Sequence, residues 1–409
     1  MAILPGSVVT TTYDTILLMF CYPWFPRDRR VGAVNDPAVR FPRAENLDQS
    51  TSAYGQRTFT LAGQYGIDAM VGFWTIAVDS AGRVQIPSVY DNFIRSVQNW
   101  PWGQTAVPRI ALNMSFTDPT RPEVVSHIQE VRRQMALPRY HRFRDAQGRE
   151  RLPVAFWGIE PLLPFVPQRV VDLGKRLAEL KAPVGGALPF LIWEGGILDV
   201  WALQAMDKNH LFTHVLSRVD AFYEHACHIP GANVLKQPMP DWRQFPRYQW
   251  DQVVEDPQFP NKTLHDITDF VKDIRLSTMR SVRQRHPGAP PYVFISGTMP
   301  QYCRERMTQA SRDGRTIINQ ARVICTDPVQ FELALHVLRD RSTPLIEVET
   351  TPDQISITQM FSLTSWAEWA EGSTFEPVGS TAPGYEEALY GIADTTGDRL
   401  LSIVKRKLG

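Results

Sequence analysis

Eight apolar runs recur along the chain, and several of the segments between them repeat apolar residues at helical spacing. The runs are 15–25 (TILLMFCYPWF), 65–74 (YGIDAMVGFW), 108–115 (PRIALNMS), 151–159 (RLPVAFWGI), 186–196 (GALPFLIWEGG), 218–225 (RVDAFYEH), 291–299 (PYVFISGTM) and 355–366 (ISITQMFSLTSW). Most run up to glycine, proline or aromatic residues. A short continuous apolar run bounded in this way fits a strand buried on both faces.

The intervening helical patterns fall at 121–137, 167–181, 263–285 and 327–341, the last opening on Asp327-Pro328. Strands alternating with helices predict a parallel sheet, and eight of them predict a (β/α)8 barrel with long βα-loop insertions. The competing architecture is an open, doubly wound α/β sheet. No glycine-rich phosphate fingerprint follows an early strand, which counts against it. No linker separates a second folding unit, so 1–409 reads as one domain. Residues 226–290, rich in Pro, Trp and Tyr, read as a long ordered insertion covering one face. The 32 prolines are about 8% of the chain, against a usual value of about 5%, and suit fixed loops better than disorder.

Charge narrows the partners. Lys plus Arg and Asp plus Glu both number 43, so no global field favours nucleic acid or an anionic membrane. The N-terminal stretch has no basic region, and its apolar segment ILLMF is too short for a signal peptide or a membrane span. The expectation is a soluble, non-secreted (cytoplasmic) protein, alone or within a larger particle. Self-association and an assembly partner both stay open. Cys21, Cys227, Cys303 and Cys325 show no CxxC spacing and read as free thiols. His225, Cys227 and His228 lack a second ligand group at zinc spacing, so no metal and no cofactor is expected.

In a barrel, the site forms where strands end. The ends here carry Tyr22 and Trp24, Trp74, Trp157, Trp193 and Glu194, Tyr223, and finally Trp366, Glu368, Trp369 and Glu371. Aromatic faces beside carboxylates suit a sugar, whose C–H faces stack on rings and whose oxygens meet acids. Packing between barrel and helices is the competing role for each tryptophan. Glu368 and Glu371 flank an indole and precede Gly372, so both carboxylates are candidates for one cavity. Two acids in one apolar site have their pKa values pushed apart, as glycoside hydrolysis requires.

The stretch SWAEWAEGSTFEP (365–377) resembles the W-N-E-W-x-E-G-…-E-P signature of family 99 glycoside hydrolases and the related WbsX-like proteins of bacterial polysaccharide loci. FCYPWF resembles that family's first strand, AGQYGIDAMVGFW its Gly-(Val/Ile)-Asp-x-x-x-x-x-Trp second strand, and YHRFRDAQGRERLPVAFW its segment with a short turn before the fourth. The resemblance implies a (β/α)8 barrel that cleaves α-mannoside-like glycans with retention. It implies that Glu368 deprotonates the sugar's 2-hydroxyl, that Glu371 protonates the leaving group and then activates water, and that Trp74 lies near the substrate. Where the family usually has Asn before its first Glu, this chain has Ala367.

The sequence reading is therefore a glycosidase-like, two-glutamate barrel with a glycan partner. Its rival is a non-catalytic glycan-binding or structural module of a phage or surface assembly, favoured by Ala367 and the non-secreted start. A polysaccharide-building enzyme is a third reading, and no nucleotide-sugar site supports it.

Overall fold

The computed structural model describes residues 16–21, 51–74, 77–78, 84–85, 108–115, 119–145, 148–157, 167–194, 210–223, 292–298, 302–303, 323–324, 331–332, 335, 360–364, 366 and 399–408. Each of the eight apolar runs holds one strand. They are β1 (Ile16–Cys21), β2 (Ala69–Trp74), β3 (Arg109–Ser115), β4 (Glu150–Trp157), β5 (Leu188–Glu194), β6 (Ala221–Tyr223), β7 (Val293–Thr298) and β8 (Met360–Thr364). Each strand pairs in parallel with the one before it and the one after it. Pairing of β1 with β8, also parallel, closes the ring. The fold is a (β/α)8 barrel, and the doubly wound alternative is set aside because an open sheet has two edges.

Alternation along each strand divides the apolar residues into two layers. One holds Leu18 and Phe20, Val71 and Phe73, Phe190 and Ile192, Tyr223 and Ile295, drawn from strands around the ring with no helical residue among them. This is the barrel interior. The other holds Met19, Trp74, Leu112, Val154, Trp193 and Leu363 together with helical residues such as Phe59, Val131 and Leu177. This is the layer between wall and helices.

The helical layer follows local sequence rules. Helix α1 (Ser52–Gln64) is capped by Thr51, whose Oγ1 accepts the Tyr54 amide at 3.2 Å. Gly66 ends the turn at φ 78°, and the Ile67 amide reaches back to the Ala62 carbonyl at 3.0 Å. The sequence pattern did not predict α1, because two glycines and several polar residues dilute its apolar stripe of Tyr54, Phe59 and Ala62. Helix α2 (Pro122–Met135) has Pro at its start, Glu123 in its first turn and Arg132 and Arg133 in its last, each matched to the helix dipole. Helix α3 (Pro167–Lys181) buries Val170, Leu173, Leu177 and Leu180. Arg132 of α2 donates to the carbonyls of Glu179 at 3.1 Å and Pro183 at 3.0 Å, satisfying the end of α3.

Gly174 of α3 faces the short helix α4 (His210–His214) so closely that a Cβ would lie 2.3 Å from the His214 carbonyl oxygen. The last helix, α5 (Arg399–Leu408), was also absent from the sequence expectation. Its Lys405 donates to the Gln64 carbonyl of α1 at 2.7 Å, so the last described helix lies beside the first. Residues 331–332 and 335 of the expected helix 327–341 are helical, and Glu332 bonds Arg406 and Lys407 of α5 at 2.6 Å each. The expected helix 263–285 and the insertion 226–290 lie outside the described residues. No helix among the described residues is long and apolar enough to cross a membrane.

The N-terminal rim of the barrel is sealed by charge. The Asp68 carboxylate accepts the Leu17 amide at 2.7 Å, and the Asp220 carboxylate accepts the Leu191 amide at 2.8 Å. Arg151 joins Asp145 and Asp220, each at 3.2 Å, and lies over the Phe190 ring at 5.2 Å. Lys181 adds a second cation to Asp220 at 2.9 Å. The turn before β4 is a hairpin that pairs Phe143–Arg144 antiparallel to Glu150–Arg151. Its Asp145 accepts the Arg149 amide at 2.9 Å, and Gly148 sits at φ 74°. Phe143 enters the barrel interior edge-on to Phe190, with ring centres 5.2 Å apart. The Tyr140 hydroxyl accepts the Leu112 amide at 3.3 Å and donates to the Pro153 carbonyl at 2.7 Å, bridging β3 and β4. Asp68, Ile67 and the hairpin of Phe143–Arg144 with Glu150–Arg151 thus carry fold, at the end of the barrel that holds stability rather than chemistry.

Candidate active site

Parallel strands bring all eight C-terminal ends to one rim, and the backbone register shows which residues share a level. Thr364 is level with Phe20, Ile295 with Tyr223, Tyr223 with Glu194, and Glu194 with Trp157. Phe73 is level with Asn113, and Asn113 with Ala155.

Under this rim the interior is tightly built. The Phe20 and Tyr223 rings stack with centroids 3.8 Å apart and planes 8° from parallel. The Tyr223 hydroxyl and Thr364 Oγ1 share a hydrogen bond of 3.0 Å past the intervening strand β7. The Trp366 amide donates to the Phe20 carbonyl at 2.7 Å, tying the chain just past β8 to β1. Phe20, Tyr223 and Thr364 are all buried, so they form a floor. Asn113, two positions beyond the interior residue Ala111, is also fully buried. The sequence reading missed Asn113 and Thr364. The available signal was a polar residue at every second position inside an apolar run.

The candidate residues fall into three groups. Glu368, Glu371, Trp369, Tyr22 and Trp24 lie outside the described residues, and the chain leading into SWAEWAEG is described through Trp366. Trp157 and Glu194 end β4 and β5 at one level of the rim. Of the described side chains, Tyr223 lies in the interior, and Trp74, Trp193 and Trp366 do not.

Those three indoles are buried in the layer between wall and helices. Trp74 shares its face of β2 with Met70, and Trp193 shares its face of β5 with Leu191, all in the wall–helix layer. Trp74 meets His127 of α2 edge-on at 5.4 Å. Trp193 stands between Phe156 of β4 and Phe222 of β6, at 5.4 and 6.3 Å. Trp366 is 0% exposed and belongs to the same layer, although strict alternation from Thr364 would have turned it inward. None offers a free ring face to a sugar. Burying a large apolar side chain of this kind stabilises the fold by about 1.5–3 kcal/mol, which is reason enough for it.

Two buried histidines belong to the scaffold. Burial pulls the pKa of His127 down to about 4, with the nearby Glu130 charge opposing the shift. Burial takes His141 to about 4 as well, helped by the Arg109 charge. Both are neutral at pH 7. Cys21 is a buried thiol of the outer layer, not in a disulfide. Among the described residues no group of three or more His, Cys, Asp or Glu side chains converges on one point.

A closed ring of eight parallel strands with an aromatic and hydroxyl floor defines the class: a (β/α)8 barrel. Solved structures of this fold follow the chain nearly end to end. A glycoside hydrolase-like protein superposes with a TM-score of 0.59 at 13% identity, over 99% of this chain and 97% of that one. The GH99 endo-alpha-mannosidase from Bacteroides thetaiotaomicron, in complex with bis-tris-propane, gives 0.52 at 13% identity over 97% and 99%. A second structure of that endo-alpha-mannosidase gives 0.51 at 11% identity over the same shares. At such identities the shared property is the fold. No protein-family model matches the chain, and no curated protein does.

Proposed function

We propose that this protein is a glycosidase-like barrel that cleaves a polysaccharide or oligosaccharide, with Glu368 and Glu371 as its working carboxylates. One observation carries the reading. The chain leaves β8 at the C-terminal rim, is tied there by the Trp366 amide to the Phe20 carbonyl at 2.7 Å, and the next six residues are AEWAEG. A pair of acids is thereby delivered, in sequence, just past the last strand, and such rims hold the active sites of barrel enzymes. The likeness in fold to a GH99 endo-alpha-mannosidase supports an α-mannoside-like substrate.

In this reading the mechanism is retaining and assisted by the sugar. Glu368 accepts the proton of the 2-hydroxyl, O2 attacks the anomeric carbon, and the bond to the leaving oxygen breaks as Glu371 donates its proton. Water then opens the 1,2-anhydro ring, Glu371 taking the water proton and Glu368 returning its own to O2. Proton transfers of this kind contribute about 10²–10⁴-fold each. Tyr22, Trp24, Trp157, Trp369 and Glu194 are proposed as substrate contacts, while Tyr223 is buried in the barrel interior. The deciding experiment is hydrolysis of a panel of mannose-containing and other bacterial glycans by wild type and by Glu371→Gln. Turnover lost in the variant supports the enzyme. Identical behaviour of the two proteins refutes it, and glycan binding retained in that case identifies a binding module.

A further inference from the structure

We propose that Tyr223 is a positioning residue for the carboxylate segment, acting through Thr364 and Phe20. The inference rests on the glycosidase reading for its kinetic consequence, but not for its structural one. Three contacts converge. Tyr223 of β6 bonds Thr364, the last residue of β8, at 3.0 Å, past the intervening strand β7. The Tyr223 ring lies flat on Phe20 of β1 at 3.8 Å. Phe20 in turn accepts the Trp366 amide through its carbonyl at 2.7 Å. Residues 364 and 366 are thus held from two sides, by a side chain from β6 and by the main chain of β1. Glu368 follows only two residues later.

A bare strand end would not need this. Thr364 is already in the ladder with Phe20. A buried tyrosine hydroxyl is costly to leave unpaired, and here it meets the hydroxyl of the last residue of β8. The pairing joins strands 141 residues apart in the chain. Its effect is to fix the height and direction at which the chain leaves the barrel. Misplacing a catalytic group by about 1 Å costs on the order of a hundredfold.

The test compares Tyr223→Phe, Thr364→Val, Thr364→Ser and the double variant Tyr223→Phe/Thr364→Val with wild type. Turnover is measured on whichever panel glycan the wild type cleaves. Removing either hydroxyl should lower kcat by roughly tenfold or more, with KM within about twofold. The double variant should be no worse than the poorer single one, because both remove the same bond. Thr364→Ser keeps the hydroxyl and should restore activity. Additive losses, or losses that follow thermal stability rather than the hydroxyl, overturn the proposal. Hydrogen exchange supplies a readout that needs no activity: peptides spanning 362–368 should lose protection in Tyr223→Phe and keep it in Thr364→Ser. Unchanged exchange overturns the brace even if the wild type cleaves nothing. Lost protection in Tyr223→Phe, where the wild type cleaves no glycan, leaves the brace standing and refutes only the glycosidase reading.

Discussion

The Asp68 carboxylate accepts the Leu17 amide at 2.7 Å while the Asp68 amide donates to the Leu17 carbonyl at 3.0 Å. Asp220 and Leu191 repeat the arrangement four strands later, at 2.8 and 3.0 Å. The local sequences match: Ile67-Asp68-Ala69 opens β2, and Val219-Asp220-Ala221 opens β6. In each case the aspartate extends the ladder one step below the strand, where the neighbour's amide would otherwise meet no carbonyl.

The two aspartates should differ in weight. Asp68→Ala removes a charge-assisted hydrogen bond and should cost about 1.5–3 kcal/mol. Asp220→Ala also strips Arg151 of one of its two carboxylates, inside the barrel. Losing a partner of a buried ion pair costs about 3–5 kcal/mol. Urea unfolding should therefore rank wild type above Asp68→Ala and Asp68→Ala above Asp220→Ala. The reverse order would contradict the structure.

Acid should weaken the fold through His127 and His141. The unfolded chain protonates each imidazole near pH 6.5, and the folded chain only near pH 4. Between those values the unfolded state binds more protons, so stability is full above pH 6.5 and declines as pH falls toward 4. The slope is about 1.4 kcal/mol per pH unit for each histidine in the middle of the window. Urea midpoints at pH 7.5, 6 and 5 should show it. His127→Gln combined with His141→Gln should flatten the profile in this window, whatever it does to stability at pH 7.5.

Trp193→Phe and Trp74→Phe separate wall packing from sugar stacking. Both indoles fill the layer behind the wall, at 0% and 3% exposure. Trimming them leaves space beside Phe156, Phe222 and His127, and should cost roughly 1–3 kcal/mol of stability. KM for a cleaved glycan should stay within about twofold, since no sugar face is lost. A rise in KM without loss of stability would return these residues to the substrate.

Gly174→Ala should destabilise by about 1–3 kcal/mol, because its Cβ would stand 2.3 Å from the His214 carbonyl oxygen and backbone must move. In solvent-exposed helix the same change would stabilise. A thermal midpoint at or above wild type would show that α3 and α4 are less closely apposed.

Ala367→Asn tests the one departure from the signature that residues 365–377 resemble. If the missing amide limits contact with sugar hydroxyls, restoring it should raise affinity or turnover on mannose-containing glycans, by isothermal titration and by initial rates. No change on any glycan of the panel would show that Ala367 is not what limits the site.

The amino-acid pattern alone located all eight strands, and helices α2 and α3 nearly to the residue. The physical reason is burial. A barrel strand is covered on both faces, so it reads as a continuous apolar run, and α2 and α3 carry regular stripes with proline at their starts. The same two-sided burial is why the pattern could not say which way each aromatic points. In AMVGFW and LPFLIWE both alternating sets are apolar, and only closure of the ring decided that Phe73 and Ile192 face in while Trp74 and Trp193 face the helices. Tyr223 met Thr364 only because β6 and β8 lie on one closed wall. Glu368 and Glu371, the carboxylates proposed to act, were singled out by residue type and spacing alone, as acids flanking an indole just past the last apolar run. The Tyr223–Thr364 pair was not legible: a threonine and a tyrosine 141 positions apart acquire a relationship only when tertiary structure brings their oxygens to 3.0 Å.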